Sequence, residues 1–368
     1  MAKKRKIKKI KPSDYLTYAI VLIIIVIALF WYYYNKQEEE RSYTALSGVF
    51  TGTTTSNSGV MQIHFIDIGQ GDCIFIDFPD GKTMLIDSGN RGKGDDVVAY
   101  LKSIQVDKID LLLATHTDAD HIGGMKEVFA EYEVEFCLRP FVYYSGDGRS
   151  DFEDTFNMIS TAKEVEYCDT KTYKTFLDCI LDENCGYEYF NKDSDFTQKF
   201  TFDNAEYEYS ADFMTPVLEI PKIGYSDANN YSPIFLLKYG EFSIMFTGDA
   251  EEQVENELLT YYADIPDVDV LKVGHHGSES STSKEFLKRI KPEQSIIMCG
   301  DNATYNHPRQ QTLDRLIEVT SEIYRTDLQG SIVITVQASG TYEITTERYA
   351  SMTEILIGKD GIVKEENQ

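Results

Sequence analysis

Five of the chain's six histidines, His116, His121, His275, His276 and His307, stand in polar loops that directly follow apolar runs of strand length. The densest loop is Ala114-Thr-His-Thr-Asp-Ala-Asp-His-Ile-Gly-Gly124, which carries His116, Asp118, Asp120 and His121 and ends on two glycines. Asp87 and Asp249 occupy comparable positions after other apolar runs. Imidazoles and carboxylates that converge can hold one or two divalent ions, zinc or manganese. An acidic, solvated helix-capping turn would explain one Asp-x-Asp pair. It would not explain why so few histidines gather at strand ends, where ligands of α/β sheets collect. The sixth, His64, alternates with apolar neighbours and reads as a strand residue, packed or on the surface.

The elements that must position these groups follow from periodicity. Residues 61–66 and 72–78 alternate at strand spacing, and 83–86 and 109–114 are further strands. Helical spacing runs over 95–105 and 125–132. The pattern returns with strands 231–238 and 242–246, helix 251–261, strand 269–273, helix 283–290, strand 294–299, helix 311–320 and strands 331–336 and 341–346. This order predicts an α/β domain over 59–347 with buried strands. Residues 143–215 break the rhythm with 17 Asp and Glu against 6 Lys and Arg. They read as a surface insertion with helices over 155–162 and 172–181, and as a candidate surface for a protein partner. Cys179 and Cys185 could bridge a short loop there, or stand with Cys168 as three free thiols; spacing does not decide. The tail, 348–368, is polar and weakly specified.

The beginning of the chain has another character. A basic cluster from Lys3 to Lys11 precedes an uncharged, mostly apolar run, Tyr15 to Tyr34, that closes on Trp31 and three tyrosines. That length spans a bilayer as a helix, with an aromatic belt at one interface and the basic flank on the cytoplasmic side. Residues 1–35 therefore predict a single-pass anchor and 36–58 a polar linker, with the following domain extracytoplasmic in the cell membrane. Bulky aromatics after the apolar run argue against a cleaved signal peptide. A formal net charge of −26 on 368 residues argues against a broad basic nucleic-acid groove. It leaves room for a metal site that engages one phosphate at a time.

His116-Thr-Asp118-Ala-Asp120-His121 resembles the signature loop of metallo-β-lactamase-fold hydrolases, with Asp118 where a second histidine is usual. Together with Asp67-Ile-Gly-Gln-Gly-Asp72, Leu85-Ile-Asp-Ser-Gly89, Thr247-Gly-Asp249, Leu271-Lys-Val-Gly-His-His-Gly-Ser278 and Tyr305-Asn-His-Pro308, it resembles the hydrolase domain of the ComEC DNA-uptake proteins, here as a stand-alone, membrane-anchored relative. The resemblance implies a four-layer αββα sandwich with a metal cleft at one edge. It implies His116 and Asp118 at a first metal, Asp120 and His121 at a second, Asp249 bridging them, and His276 or His307 completing the second site. Asp87 would shape the loop floor, with Asp72 beside it. Such ions would supply Lewis acidity, activating water near neutral pH and offsetting charge in the transition state. Asp120 would orient the nucleophile, His275 and Ser278 would assist the leaving group, and Asn302 and Tyr305 would touch substrate.

No histidine lies between His121 and His275, so the first site lacks one that many relatives have. Asp227, Asn229 and Asn230 are the candidates to replace it, and an oxygen-rich site favours a harder ion such as manganese. The leading expectation is a membrane-anchored phosphodiesterase acting on single-stranded or short nucleic acid. Hydrolysis of a small ester, lactone or lactam is the alternative within the enzyme class, and a non-catalytic surface binding module is the alternative outside it. The multi-helix channel of DNA-uptake proteins has no counterpart here, so transport is not predicted.

Overall fold

Apolar residues at every second position build two β-sheets whose inner faces meet. The computed structural model describes residues 59–144, 167–183, 185–190, 192, 209–217, 225–301, 304–319 and 322–360. The first half runs β1 (Val60–Phe65), β2 (Ile74–Asp77), β3 (Thr83–Ile86), α1 (Gly94–Ser103), β4 (Ile109–Leu113), α2 (Ala119–Ile122), α3 (Met125–Glu131) and β5 (Val134–Arg139). Then come β6 (Tyr143–Tyr144), β7 (Tyr167–Cys168), α4 (Lys171–Glu183), β8 (Gly186–Tyr189) and β9 (Tyr209–Phe213). The second half runs β10 (Phe235–Tyr239), β11 (Phe242–Phe246), α5 (Glu252–Tyr261), β12 (Val270–Lys272), α6 (Lys284–Ile290), β13 (Gln294–Ile297), α7 (Gln310–Ile317) and β14 (Glu322–Arg325). It closes with α8 (Thr326–Gln329), β15 (Ile332–Gln337), β16 (Tyr342–Thr346) and α9 (Met352–Ile355).

One sheet has the order β16-β15-β1-β2-β3-β4-β5-β8 and the other β14-β13-β12-β11-β10-β9. Met61, Ile63 and Phe65 of β1 and Ile332, Ile334 and Val336 of β15 face Phe235, Leu237, Phe242, Ile244 and Phe246 across one core. A run of stacked rings crosses it: Phe213 to Phe235 at 5.0 Å, Phe235 to Phe246 at 4.8 Å and Phe246 to Phe65 at 6.4 Å. Each such buried ring contributes on the order of 2–3 kcal/mol. The opposite faces lie under helices. His64 of β1 points away from the core and its Nδ1 meets the Tyr100 hydroxyl of α1 at 3.0 Å, so it is a packed residue. On the other sheet Val254 and Leu258 of α5 and Phe286, Leu287 and Ile290 of α6 are buried. The result is the expected αββα sandwich.

Parallel pairing aligns the strand ends that matter. β3 pairs with β4 so that Ile86 opposes Leu113, which sets Asp87 beside the 114–124 loop. In the second sheet β11, β12 and β13 are parallel, so Thr247-Gly-Asp249, Val273-Gly-His-His276 and Met298 leave along the same edge.

Within 143–215, read from sequence as a surface insertion, β6 and β7 pair with each other in a separate two-stranded sheet, while other described parts are built into the sandwich. β8 extends the first sheet beside β5, β9 pairs with β10, and α4 buries Tyr173, Phe176, Leu177 and Ile180. α4 matches the helix expected over 172–181, whereas 155–162 lies outside the described residues. Gly186-Tyr-Glu-Tyr189 lacks apolar alternation because it is an edge strand with exposed and half-exposed side chains. All six cysteines are free thiols. Part of the tail is also packed: a capping box between Ser351 and Glu354 starts α9, and Ile355 is buried. Among the described residues no helix is long and apolar enough to cross a membrane. The anchor expected at 15–34 and the 36–58 linker lie outside them.

Candidate metal centre

Asp87 is the floor on which two histidines stand. It is fully buried with φ of 58°, a left-handed conformation that non-glycine residues adopt only where their surroundings enforce it. Its Oδ1 accepts the Thr115 amide at 2.9 Å, and its Oδ2 accepts the Thr115 hydroxyl and His121 Nδ1, each at 2.7 Å. Because the Thr115 hydroxyl gives its hydrogen to Asp87, its oxygen is left to accept from His116 Nδ1 at 3.1 Å. Asp87 thus fixes His121 directly and His116 through Thr115. Both rings then keep an unprotonated Nε2.

The Nε2 of His121 and that of His276 lie 3.2 Å apart, and Asp249 Oδ2 is 3.2 Å from the first and 3.3 Å from the second. His276 donates Nδ1–H to the Met298 carbonyl at 3.0 Å. Each ring's outer nitrogen is therefore committed, so that in the neutral rings two lone pairs and a carboxylate oxygen face one point. Such a group is satisfied by a cation. Asp249 Oδ1 and His116 Nε2 are also buried without a hydrogen-bond partner among the described residues. The donor set therefore fits a divalent ion.

In the absence of an ion, protons take the place a cation would fill. Burial disfavours charge on His121 and His276, yet the carboxylates around them prevail and hold both well above the ordinary imidazole value. Asp249 is desolvated too, but His121, His276 and His275 hold it well below the usual carboxylate range. His116 goes the other way: burial, then the neighbouring His121, push it down to about 4, so it stays neutral.

Asp72 belongs to the same buried group with His121, Asp249 and His276. It approaches His276 from the far side, with Oδ1 3.3 Å from Nδ1, and its Oδ2 is 2.7 Å from Lys272 Nζ. Its Oδ1, like Asp249 Oδ1, is buried without a hydrogen-bond partner among the described residues, so Asp72 adds an oxygen to the group that could hold the ion. Gly71 makes this placement workable: a Cβ there would sit 2.1 Å from the Asp120 carbonyl, the group to which the Asp72 amide donates. Asp120 Oδ2 is 3.4 Å from His276 Nε2 on the solvent side, so Asp120 joins the centre at its mouth. Burial opposes its charge, but His276 and His121 hold the carboxyl below its ordinary value.

The first-site group is looser. Asp118 Oδ2 stands 4.0 Å from His116 Nε2, and its side chain is 52% exposed. Asp227 caps its own turn by accepting the Asn229 amide, and Asn230 Oδ1 accepts the Glu251 amide. The side chain reaching His116 from that segment is Ser232, whose Oγ is 3.2 Å from His116 Nδ1 and accepts the Asp249 amide at 3.0 Å. Ser232 carries no motif that would have marked it. Lys272, by contrast, was visible as a lone cation inside an apolar strand.

Around the mouth, His275 has φ of 48° and His276 of 55°, so the loop turns sharply to send one ring inward and the other to the rim. His275 Nε2 is 3.7 Å from Asp249 Oδ2, and its Nδ1 is 3.6 Å from Glu251 Oε1. Ser278 is bonded to Ser280, which in turn donates to Glu251, so it supports this rim and is not brought to the centre. His307 lies one ring farther out, 6.4 Å from His276 and 5.3 Å from His275 between centroids. Of the two histidines left open by sequence, His276 is the one at the centre. Tyr305 stacks on His307 and is 52% exposed. Asn302 lies outside the described residues.

A model of the metallo-beta-lactamase superfamily matches residues 66–149. ComE operon protein 3 of Bacillus subtilis (strain 168) is 28% identical over 288 residues, covering 74% of this chain and 32% of that protein. Recombination protein 2 of Haemophilus influenzae is 24% identical over 276 residues, 74% of this chain and 28% of its own length. Competence protein ComA of Neisseria gonorrhoeae is 31% identical over 106 residues, 29% of this chain and 15% of its own. The chain spans about a third or less of the length of these relatives.

Proposed function

Starting from a chain that carries a metallo-beta-lactamase domain and is a relative of the ComEC-type hydrolase domains, we propose that it is a metal-dependent phosphodiesterase acting on short or single-stranded nucleic acid. The observation that carries this reading is the triangle of His121 Nε2, His276 Nε2 and Asp249 Oδ2, with sides of 3.2, 3.3 and 3.2 Å. These three residues hold the principal cation, with Asp120 at its open side; His116 and Asp118 offer a second, weaker position. Zinc or manganese there supplies Lewis acidity toward water and toward a phosphoryl oxygen.

The chain's own groups do the rest. Asp87 and the Met298 carbonyl keep the two inner imidazoles in the binding tautomer. Asp120, at the mouth, orients the attacking water. His275, on the rim between Asp249 and Glu251, is placed to give a proton to the leaving oxygen. The names of the competence relatives support a nucleic-acid substrate. The apolar run at 15–34 with its basic flank supports a single-pass anchor and an extracytoplasmic catalytic domain. The acidic 143–215 segment remains a candidate partner surface.

The test is metal content of the full chain, followed by a panel of labelled single-stranded DNA, bis(p-nitrophenyl) phosphate and a chromogenic lactam, with Asp120→Ala beside the wild type. Bound manganese or zinc and phosphodiester cleavage lost in Asp120→Ala is the expected result. No uptake of either metal, or activity on the lactam alone, overturns the proposal.

A further inference from the structure

Three nearly parallel rings lead from solvent to the centre. Tyr305, 52% exposed, stacks on His307 at 5.7 Å and 26°, and His307 lies over His276 at 6.4 Å and 28°. His307 is buried, and its Nδ1 has no hydrogen-bond partner among the described residues. Two positions on, Arg309 is fixed by its amide, which donates to the Gly277 carbonyl at 2.9 Å, directly after His276.

Arg309 supplies a positive charge. Lys82, Lys272, Arg325 and Lys359 each pair with a carboxylate within 3.1 Å. Arg309 has no such partner among the described residues. A guanidinium without a carboxylate partner, carried by a backbone fixed next to His276, has its use in binding an anion in a chain of net charge −26. An exposed aromatic platform next to it suits a nucleobase, since every base offers a π-face.

We propose that Tyr305, His307 and Arg309 form a subsite for the nucleotide flanking the scissile phosphate, the stacked rings taking its base and the guanidinium its phosphate. This rests on the phosphodiesterase reading. It adds a specificity device that a small ester would not engage.

The experiment compares the full chain with Arg309→Ala, Arg309→Lys, Tyr305→Ala and Tyr305→Phe, measuring cleavage of a short oligothymidylate over a range of salt, with bis(p-nitrophenyl) phosphate as a second substrate for the wild type. Arg309→Ala should raise KM for the oligonucleotide about tenfold with kcat within about twofold, and flatten the log–log salt slope by about 0.7. Arg309→Lys should keep that slope. Tyr305→Ala should raise KM about tenfold without changing the slope, and Tyr305→Phe should resemble the wild type. Oligonucleotide cleavage that is indifferent to both alanine variants overturns the subsite and leaves the phosphodiesterase standing. A wild type that cleaves only bis(p-nitrophenyl) phosphate also removes the nucleotide subsite. A wild type that cleaves neither removes the phosphodiesterase reading and the subsite with it.

Discussion

His121 Nε2 and His276 Nε2 face each other across 3.2 Å, and each ring's other nitrogen is already committed, to Asp87 in one case and to the Met298 carbonyl in the other. In the neutral rings neither has a hydrogen to offer the other, and a cation held between them and Asp249 satisfies both. His121→Ala and His276→Ala should each lose the tightly held metal. His307→Ala should retain it, because its ring is 6.4 Å from that of His276. Elemental analysis of the three purified variants checks this. A His307→Ala protein without metal would return His307 to the ligand set.

Asp87 touches no ion in this scheme, yet it accepts from His121 Nδ1 and from both donors of Thr115. Asp87→Asn keeps the shape but can turn an amide N–H toward His121 Nδ1, which places a hydrogen on the Nε2 that should bind metal. Metal affinity should fall about 10–100-fold, as is typical when an orienting partner is lost. Competition titration with a chromogenic chelator measures it, with circular dichroism to show that the fold persists. Unchanged affinity would mean that Asp87 serves only the loop backbone.

Lys272 and Asp72 form an ion pair at 2.7 Å with side chains 1% and 2% exposed. Removing one partner of such a pair leaves the other charged and dry, a loss of about 3–5 kcal/mol. Lys272→Met should therefore unfold at markedly lower denaturant concentration, while Lys272→Met with Asp72→Asn should recover much of the difference. Urea titrations of the two variants decide it; equal losses would show that the pair's geometry, not its charge balance, is what counts.

Much of the architecture was legible in alternation, because β1, β11 and β15 each bury every second residue against the core. The same holds for the site where ligands lie in sequence beside their strand ends. What was hidden depends on distance in space. Ser232 meets His116 only because β10 and β4 feed the same edge, and Asp72 reaches His276 only through Gly71's close approach to Asp120. β8 escaped notice since an edge strand need not alternate, and α9 because its signal is only a four-residue capping box. The choice between His276 and His307 needed ring positions that no spacing contains.

His64 gives a pH dependence separate from the metal centre. It is buried against Phe75 and Tyr100, and desolvation pushes it down to about 3 from the ordinary imidazole value of 6.5. Between those values the unfolded chain binds a proton that the folded chain refuses, so this residue's contribution to stability rises with pH through that window and levels off above about 6.5. The slope is at most about 1.4 kcal/mol per pH unit. His64→Phe fits the same ring-lined site and removes the titration, although it leaves the Tyr100 hydroxyl without its partner and so lowers stability at all pH values. Denaturant unfolding at pH 5 and pH 7 should show a smaller difference in the variant than in the wild type. Equal differences would place the acid sensitivity of the fold elsewhere.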